Sequence, residues 1–84
     1  MTPPSESVTL TAAQVMALNR KLSEMRHDVN NQLSLVVGAA ELIRCKPDTT
    51  PRMLTTLAAA PQKISDQIRQ FSDEFEKTFG IVRE

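Results

Sequence analysis

The sequence predicts an all-α fold, an antiparallel two-helix hairpin that dimerises into a four-helix bundle. Three observations carry this. Two long stretches repeat apolar residues at alternating intervals of three and four, the spacing of a heptad seam. A short segment, Lys46 to Pro51, separates them with turn-forming Pro, Asp and Thr residues. The composition also suits helices: there is no Trp or Tyr, and only two glycines among 84 residues.

In chain order, residues 1–10 are rich in Pro, Ser and Thr and are expected to be a flexible N-terminal segment. Thr11 followed three residues later by Gln14 matches a capping box, in which hydroxyl and carboxamide satisfy free amides at a helix start. Val15, Leu18, Leu22, Met25, Val29, Gln32, Val36, Ala39 and Ile43 then form the first seam, with Gln32 its one polar break. No proline intervenes before Pro47, so helix 1 is expected over about 12–45, roughly 50 Å long at 1.5 Å per residue. The turn is expected at 46–50, where Asp48, Thr49 or Thr50 can cap a second helix. Pro51 suits that helix's first turn, where a missing amide costs nothing.

Helix 2, over about 51–79, places Leu54, Leu57, Pro61, Ile64, Ile68, Phe71 and Phe75 on its seam. Pro61 is expected to bend or split it. Gly80 ends it, and residues 81–84 form a tail. The hairpin of residues 11–80 is thus one small domain. Leu33, Leu35, Val37, Ala40 and Leu42 are apolar beyond the first seam and call for more than one neighbour, which a homodimer supplies. Met16, Met25 and Met53 read as core or gap-filling residues, the three phenylalanines as bundle core and Cys45 as a small packing residue.

Charge and composition exclude several classes. Ten basic and ten acidic residues give a formal net charge of zero, so nothing points to nucleic acid or an anionic membrane surface. A single cysteine fits a reducing cytoplasm. The start MTPPSES lacks the basic and apolar regions of a signal peptide, and no apolar run approaches the roughly 20 residues of a membrane span. A cytoplasmic protein with no membrane segment is the expectation.

Chemistry concentrates in RHDVNNQL, residues 26–33, which holds the only histidine. With Leu22 at heptad position a and Met25 at d, His27 falls at f, opposite the seam. Its companions there are Arg20, Ser23, Glu24, Asn30, Asn31 and Ser34. An ordinary solvated histidine would look the same. One His and a distant Cys do not make a closed metal ligand set, so no metal is expected. No Ser or Cys nucleophile shares a face with a base and an orienting group. Gly38 and Gly80 cannot make a phosphate-cradling loop.

What remains is His27 itself as nucleophile. A neutral imidazole nitrogen can accept a phosphoryl group if a hydrogen bond at the other nitrogen holds the tautomer. Asp28 is the nearest acid, but adjacent helical residues diverge by about 100°, so spacing does not establish that contact. Asn31, four residues on, shares the His27 face and could orient a water.

HDVNNQLSLVVGAAELI, from His27 to Ile43, resembles the phosphoacceptor box of bacterial sensor histidine kinases. It is most similar to the subgroup reading His-Asp-x-Asn-Asn-x-Leu, followed by a Gly-x-Ala-Glu-Leu segment, here Gly38 to Leu42. The likeness is close over these residues and one of pattern only through helix 2. It covers that family's dimerisation and histidine-phosphotransfer hairpin (DHp, HisKA-like).

The resemblance implies roles residue by residue. His27 would be phosphorylated, and Asp28 would act as general base and orienting partner. Asn31 would position water for dephosphorylation of the partner. Ser34, Val37, Gly38 and Glu41 would meet the receiver domain of a response regulator, although Val37 also reads as bundle core. The family's kinases carry an ATP-binding domain, and nothing after Phe79 matches one, so no cofactor is expected on this chain. Mg²⁺ would come with the receiver, and ATP only through a separate ATP-binding kinase domain. The Lys-Gly signature of monomeric phosphotransfer bundles is missing, which favours the dimeric hairpin. The competing readings are a non-catalytic dimeric adaptor and a receiver phosphatase using Asn31.

Overall fold

The computed structural model describes residues 7–80; 1–6 and 81–84, read from sequence as part of the flexible N-terminal segment and as the tail, lie outside the described residues. Helix α1 spans Ala12–Cys45 and helix α2 spans Thr50–Phe79, joined by a single 3₁₀ turn at Pro47–Thr49. Among the described residues there is no strand, and no helix is long and apolar enough to cross a membrane.

Each terminus has a local cause. The Thr11 hydroxyl accepts from the Gln14 amide at 3.1 Å, and the Gln14 side chain accepts from the Thr11 amide at 2.8 Å, which closes the capping box. At the other end the Lys46 amide still reaches the Leu42 carbonyl, at 2.7 Å, but Pro47 has no amide with which to continue. The threonines of the turn do not cap α2. Thr49 and Thr50 instead donate to the carbonyls of Lys46 and Pro47, at 2.8 and 2.6 Å, which stitches the 3₁₀ turn shut. Gly80 closes α2 in the left-handed conformation, φ 66°, a backbone that glycine adopts without steric cost.

Pro61 does not split α2, which runs unbroken through it. Ala60 and Ile64, on either side, both lie on the face toward α1, and that burial offsets part of the roughly 3 kcal/mol a helical proline costs.

The hairpin is one layer thick, 57 × 28 × 12 Å. From Leu18 to Ile43 the α1 seam is the half-buried face that meets α2, with Ala39 buried outright. Val15, although on the same stripe, is exposed near the open end of the hairpin. The α2 seam differs from the sequence reading. Met53, Leu57, Ala60, Ile64, Gln67 and Phe71 face α1, whereas Leu54, Pro61, Ile68 and Phe75 are exposed. Small Ala60, 1% exposed, lets the helices approach closely, and the larger residues one position on are turned about 100° away. The Gln67 carboxamide oxygen is buried with no hydrogen-bond partner among the described residues, a cost of about 1–3 kcal/mol.

Three other expectations are corrected by exposure. Cys45 and Met16 are solvent-exposed rather than packed. The phenylalanines form a ladder, with centroids 6.2 Å apart from Phe71 to Phe75 and 4.6 Å from Phe75 to Phe79, and Phe75 rotates out of the core. A stack at i, i+4, i+8 drifts around a helix, so its members cannot all face one partner.

Candidate functional site

His27 lies near the midpoint of α1, where the backbone is held by helical hydrogen bonds on both sides. Its side chain is 75% exposed and projects away from α2. Two neighbours approach the same ring nitrogen. The Asp28 Oδ1 is 3.6 Å from Nδ1, and the Asn31 Nδ2 is 3.5 Å from it. The first distance is too long for a hydrogen bond and the second is at the limit. Both side chains are exposed, so modest rotations close either contact.

The two contacts ask for opposite tautomers. A carboxylate can only accept, so Asp28 favours a proton on Nδ1 and leaves Nε2 with its lone pair. The Asn31 amide group donates, and favours a bare Nδ1 with the proton on Nε2. Nε2, on the far edge of the ring, faces away from both. Nδ1 is thus the ring nitrogen that both neighbours address, each favouring a different tautomer.

Below the imidazole, Ser34 and Glu41 follow at intervals of seven and share its face, both exposed. Glu41 accepts from the Arg44 guanidinium at 2.8 Å. Gly38 is exposed, and a Cβ built there meets nothing within 4 Å. Packing within the chain thus gives no reason for a glycine in mid-helix, which costs about 1 kcal/mol relative to alanine. Replacing Gly38 by alanine is expected to raise the thermal midpoint of the hairpin by roughly 4–8 °C in a melt followed by circular dichroism. Val37 is 63% exposed and lies off the seam, so it is not core of this hairpin.

Sequence reasoning missed Leu35 and Leu42. Both are exposed, and they follow Asp28 at intervals of seven, so Asp28, Leu35 and Leu42 run down one flank of α1 beside Asn31 and Gly38. The spacing was visible, but their apolar character read as a demand for burial. On the same flank an open groove of about 350 Å³ runs between the helices, with Lys21, Glu24 and Asp28 on the α1 side and Gln67, Gln70 and Glu74 among its α2 lining. Among the described residues no three His, Cys, Asp or Glu side chains converge where a metal ion could be held.

No protein family, no curated protein and no solved structure matches the chain.

Proposed function

We propose that this chain is a histidine-phosphotransfer and dimerisation module of a two-component signalling system, with His27 as phosphoacceptor exchanging a phosphoryl group with the aspartate of a response-regulator receiver. The observation that supports the reading is an imidazole exposed in mid-helix, with Asp28 and Asn31 both beside its Nδ1.

In the forward step the Nε2 lone pair attacks phosphorus, the N–P bond forms, and the P–O bond to the receiver aspartate breaks, returning that group as carboxylate. Positive charge develops on the ring as this happens. Asp28, accepting at Nδ1–H, stabilises the charge or takes the proton, so its service is electrostatic and orienting. Mg²⁺ would come with the receiver and would supply charge neutralisation there. The receiver would dock over Ser34, Gly38 and Glu41, flanked by Leu35 and Leu42. Val37 faces the other flank. The missing Gly38 side chain would leave a flat spot for close approach, so Gly38→Ala, though more stable, would transfer phosphate more slowly.

The test mixes the purified chain with phosphorylated receivers and follows acid-labile, alkali-stable phosphate. Label on His27 is the expected result. No transfer from any receiver tried, with label absent from the chain, would leave the non-catalytic adaptor.

The Asn31 contact favours one variant of this reading, in which the same surface also dephosphorylates the receiver. Asn31→Ala is expected to slow receiver dephosphorylation roughly tenfold or more while leaving transfer to His27 in place. A rate equal to that of the unaltered chain would remove Asn31 from the mechanism.

A further inference from the structure

The groove between the antiparallel helices has two ends, and the order of its lining identifies which residues share each end. On α1 the lining runs from Lys21 to Asp28, and on α2 from Gln67 to Glu74. Because the helices run in opposite directions, Lys21 lies level with Glu74 at one end. Asp28 lies level with Gln67 at the other, which is the end beside His27.

Gln67 holds its place at a cost. Its carboxamide oxygen is turned inward, buried and without a hydrogen-bond partner among the described residues. The nitrogen is not enclosed with it, so its two N–H groups open toward the groove that the residue lines. The reverse orientation would bury two unpaired N–H groups in place of one acceptor. A methionine or leucine would fill the same position without burying any unpaired polar atom. Packing therefore gives no account of the amide.

Asp28 lacks what that amide supplies. One of its oxygens stands 3.6 Å from His27 Nδ1, its side chain is 53% exposed, and no hydrogen bond among the described residues holds it. Glu24, one turn earlier in the groove, repels it and offers no donor. An acid that orients an imidazole needs a third group to orient it in turn. Among the donors of the groove, Lys21 is two turns away at the far end, and Gln67 is the one level with Asp28.

We infer that Gln67 is a positioning residue for the phosphotransfer step: its amide donates to the Asp28 oxygen that does not face His27, and so sets the carboxylate against Nδ1. The inference rests on the proposed roles of His27 and Asp28. No bond within Gln67 is made or broken. As Nε2 attacks phosphorus, the Nδ1 proton stays on the ring or passes to Asp28, and in both cases the donated N–H keeps the carboxylate aimed at it. Hydrogen bonds from an amide to a carboxylate are among the stronger ones. A group fixed before the reaction also needs no reorganisation during it.

Transfer from a phosphorylated receiver tests this in four chains: wild type, Gln67→Met, Asp28→Ala and the double variant. Gln67→Met is expected to slow labelling of His27 roughly tenfold. It should melt no lower than wild type, because an orphaned oxygen is removed. In the Asp28→Ala background the same substitution should change the rate by less than about twofold, since no carboxylate remains to be held. An unslowed Gln67→Met chain would overturn the inference. So would equal slowing with and without Asp28, which is how a packing defect behaves.

A second measurement needs neither phosphate nor a substitution at Gln67. In the ¹H–¹⁵N NMR spectrum of the resting chain, Asp28→Ala is expected to move the side-chain amide pair of Gln67, and Ser34→Ala to leave it in place. A pair that ignores Asp28→Ala would refute the contact. Absence of label from all four chains would instead remove the phosphotransfer reading, and the spectrum would still decide whether Gln67 holds Asp28.

Discussion

On the proposed reading, replacing His27 with glutamine is expected to abolish phosphate incorporation from a phosphorylated receiver and to leave the helical content and the mass in solution unchanged. The separation follows from position. His27 is 75% exposed at a heptad f site, and its polar neighbours, Asp28 at 3.6 Å and Asn31 at 3.5 Å, are themselves exposed. Glutamine is a better helix former than histidine, so the effect on stability should lie within about 0.5 kcal/mol. The chemical loss is total, because a carboxamide nitrogen has no lone pair free for attack on phosphorus. Asp28→Asn should give the graded result: the ring and its Nε2 remain, but the charge behind Nδ1 is gone, and transfer slows by about 10²–10³-fold. An adaptor that merely kept the hairpin shape would be indifferent to both substitutions. Undiminished label on the His27→Gln chain would assign the phosphate to another residue and end the phosphoacceptor reading.

How far the sequence carries can be seen by comparing the two seams. On α1, from Leu18 onward, the residues at three-four spacing are also the ones that meet α2, because no competing stripe of equal quality exists in its first half. On α2 two stripes share Leu57, Ile64 and Phe71. Completed by Met53, Ala60 and Gln67 they face α1; completed by Leu54, Pro61, Ile68 and Phe75 they make an equally regular heptad turned to the flank. Periodicity within one chain cannot choose between them. The stripe that faces α1 is the one holding small Ala60, which is buried in the seam.

The site shows the same division. That His27 points outward follows from its register, and the structure agrees. The approach of Asp28 to Nδ1 depends on side-chain torsions that no spacing rule encodes, and adjacent residues on a helix do not ordinarily meet. Leu35 and Leu42 were passed over for a different reason. Apolar residues on an amphipathic helix are normally spoken for by packing, and only the exposure of this flank identifies them as available to a visitor.

The largest effect on stability is expected at Ala60→Leu. Ala60 is 1% exposed and sits in the seam where α2 passes α1, so three added carbon atoms have no void to enter. The helices must separate or the leucine must leave its rotamer well, at a cost of about 1–3 kcal/mol. In a domain of this size each kilocalorie moves the midpoint by roughly 4–8 °C, so a fall of about 10 °C or more is expected in a melt at fixed protein concentration. Ala17→Leu, the same chemical change at an exposed position of α1, is the control and should move the midpoint little, since surface substitutions usually stay within about 0.5 kcal/mol. The contrast isolates packing from helix propensity, which the two substitutions alter equally. Equal melts for the two variants would mean that Ala60 does not set the distance between the helices. The reassignment of the α2 seam, and with it the sorting of Leu54, Ile68 and Phe75 onto an outer flank, would then lose its physical cause.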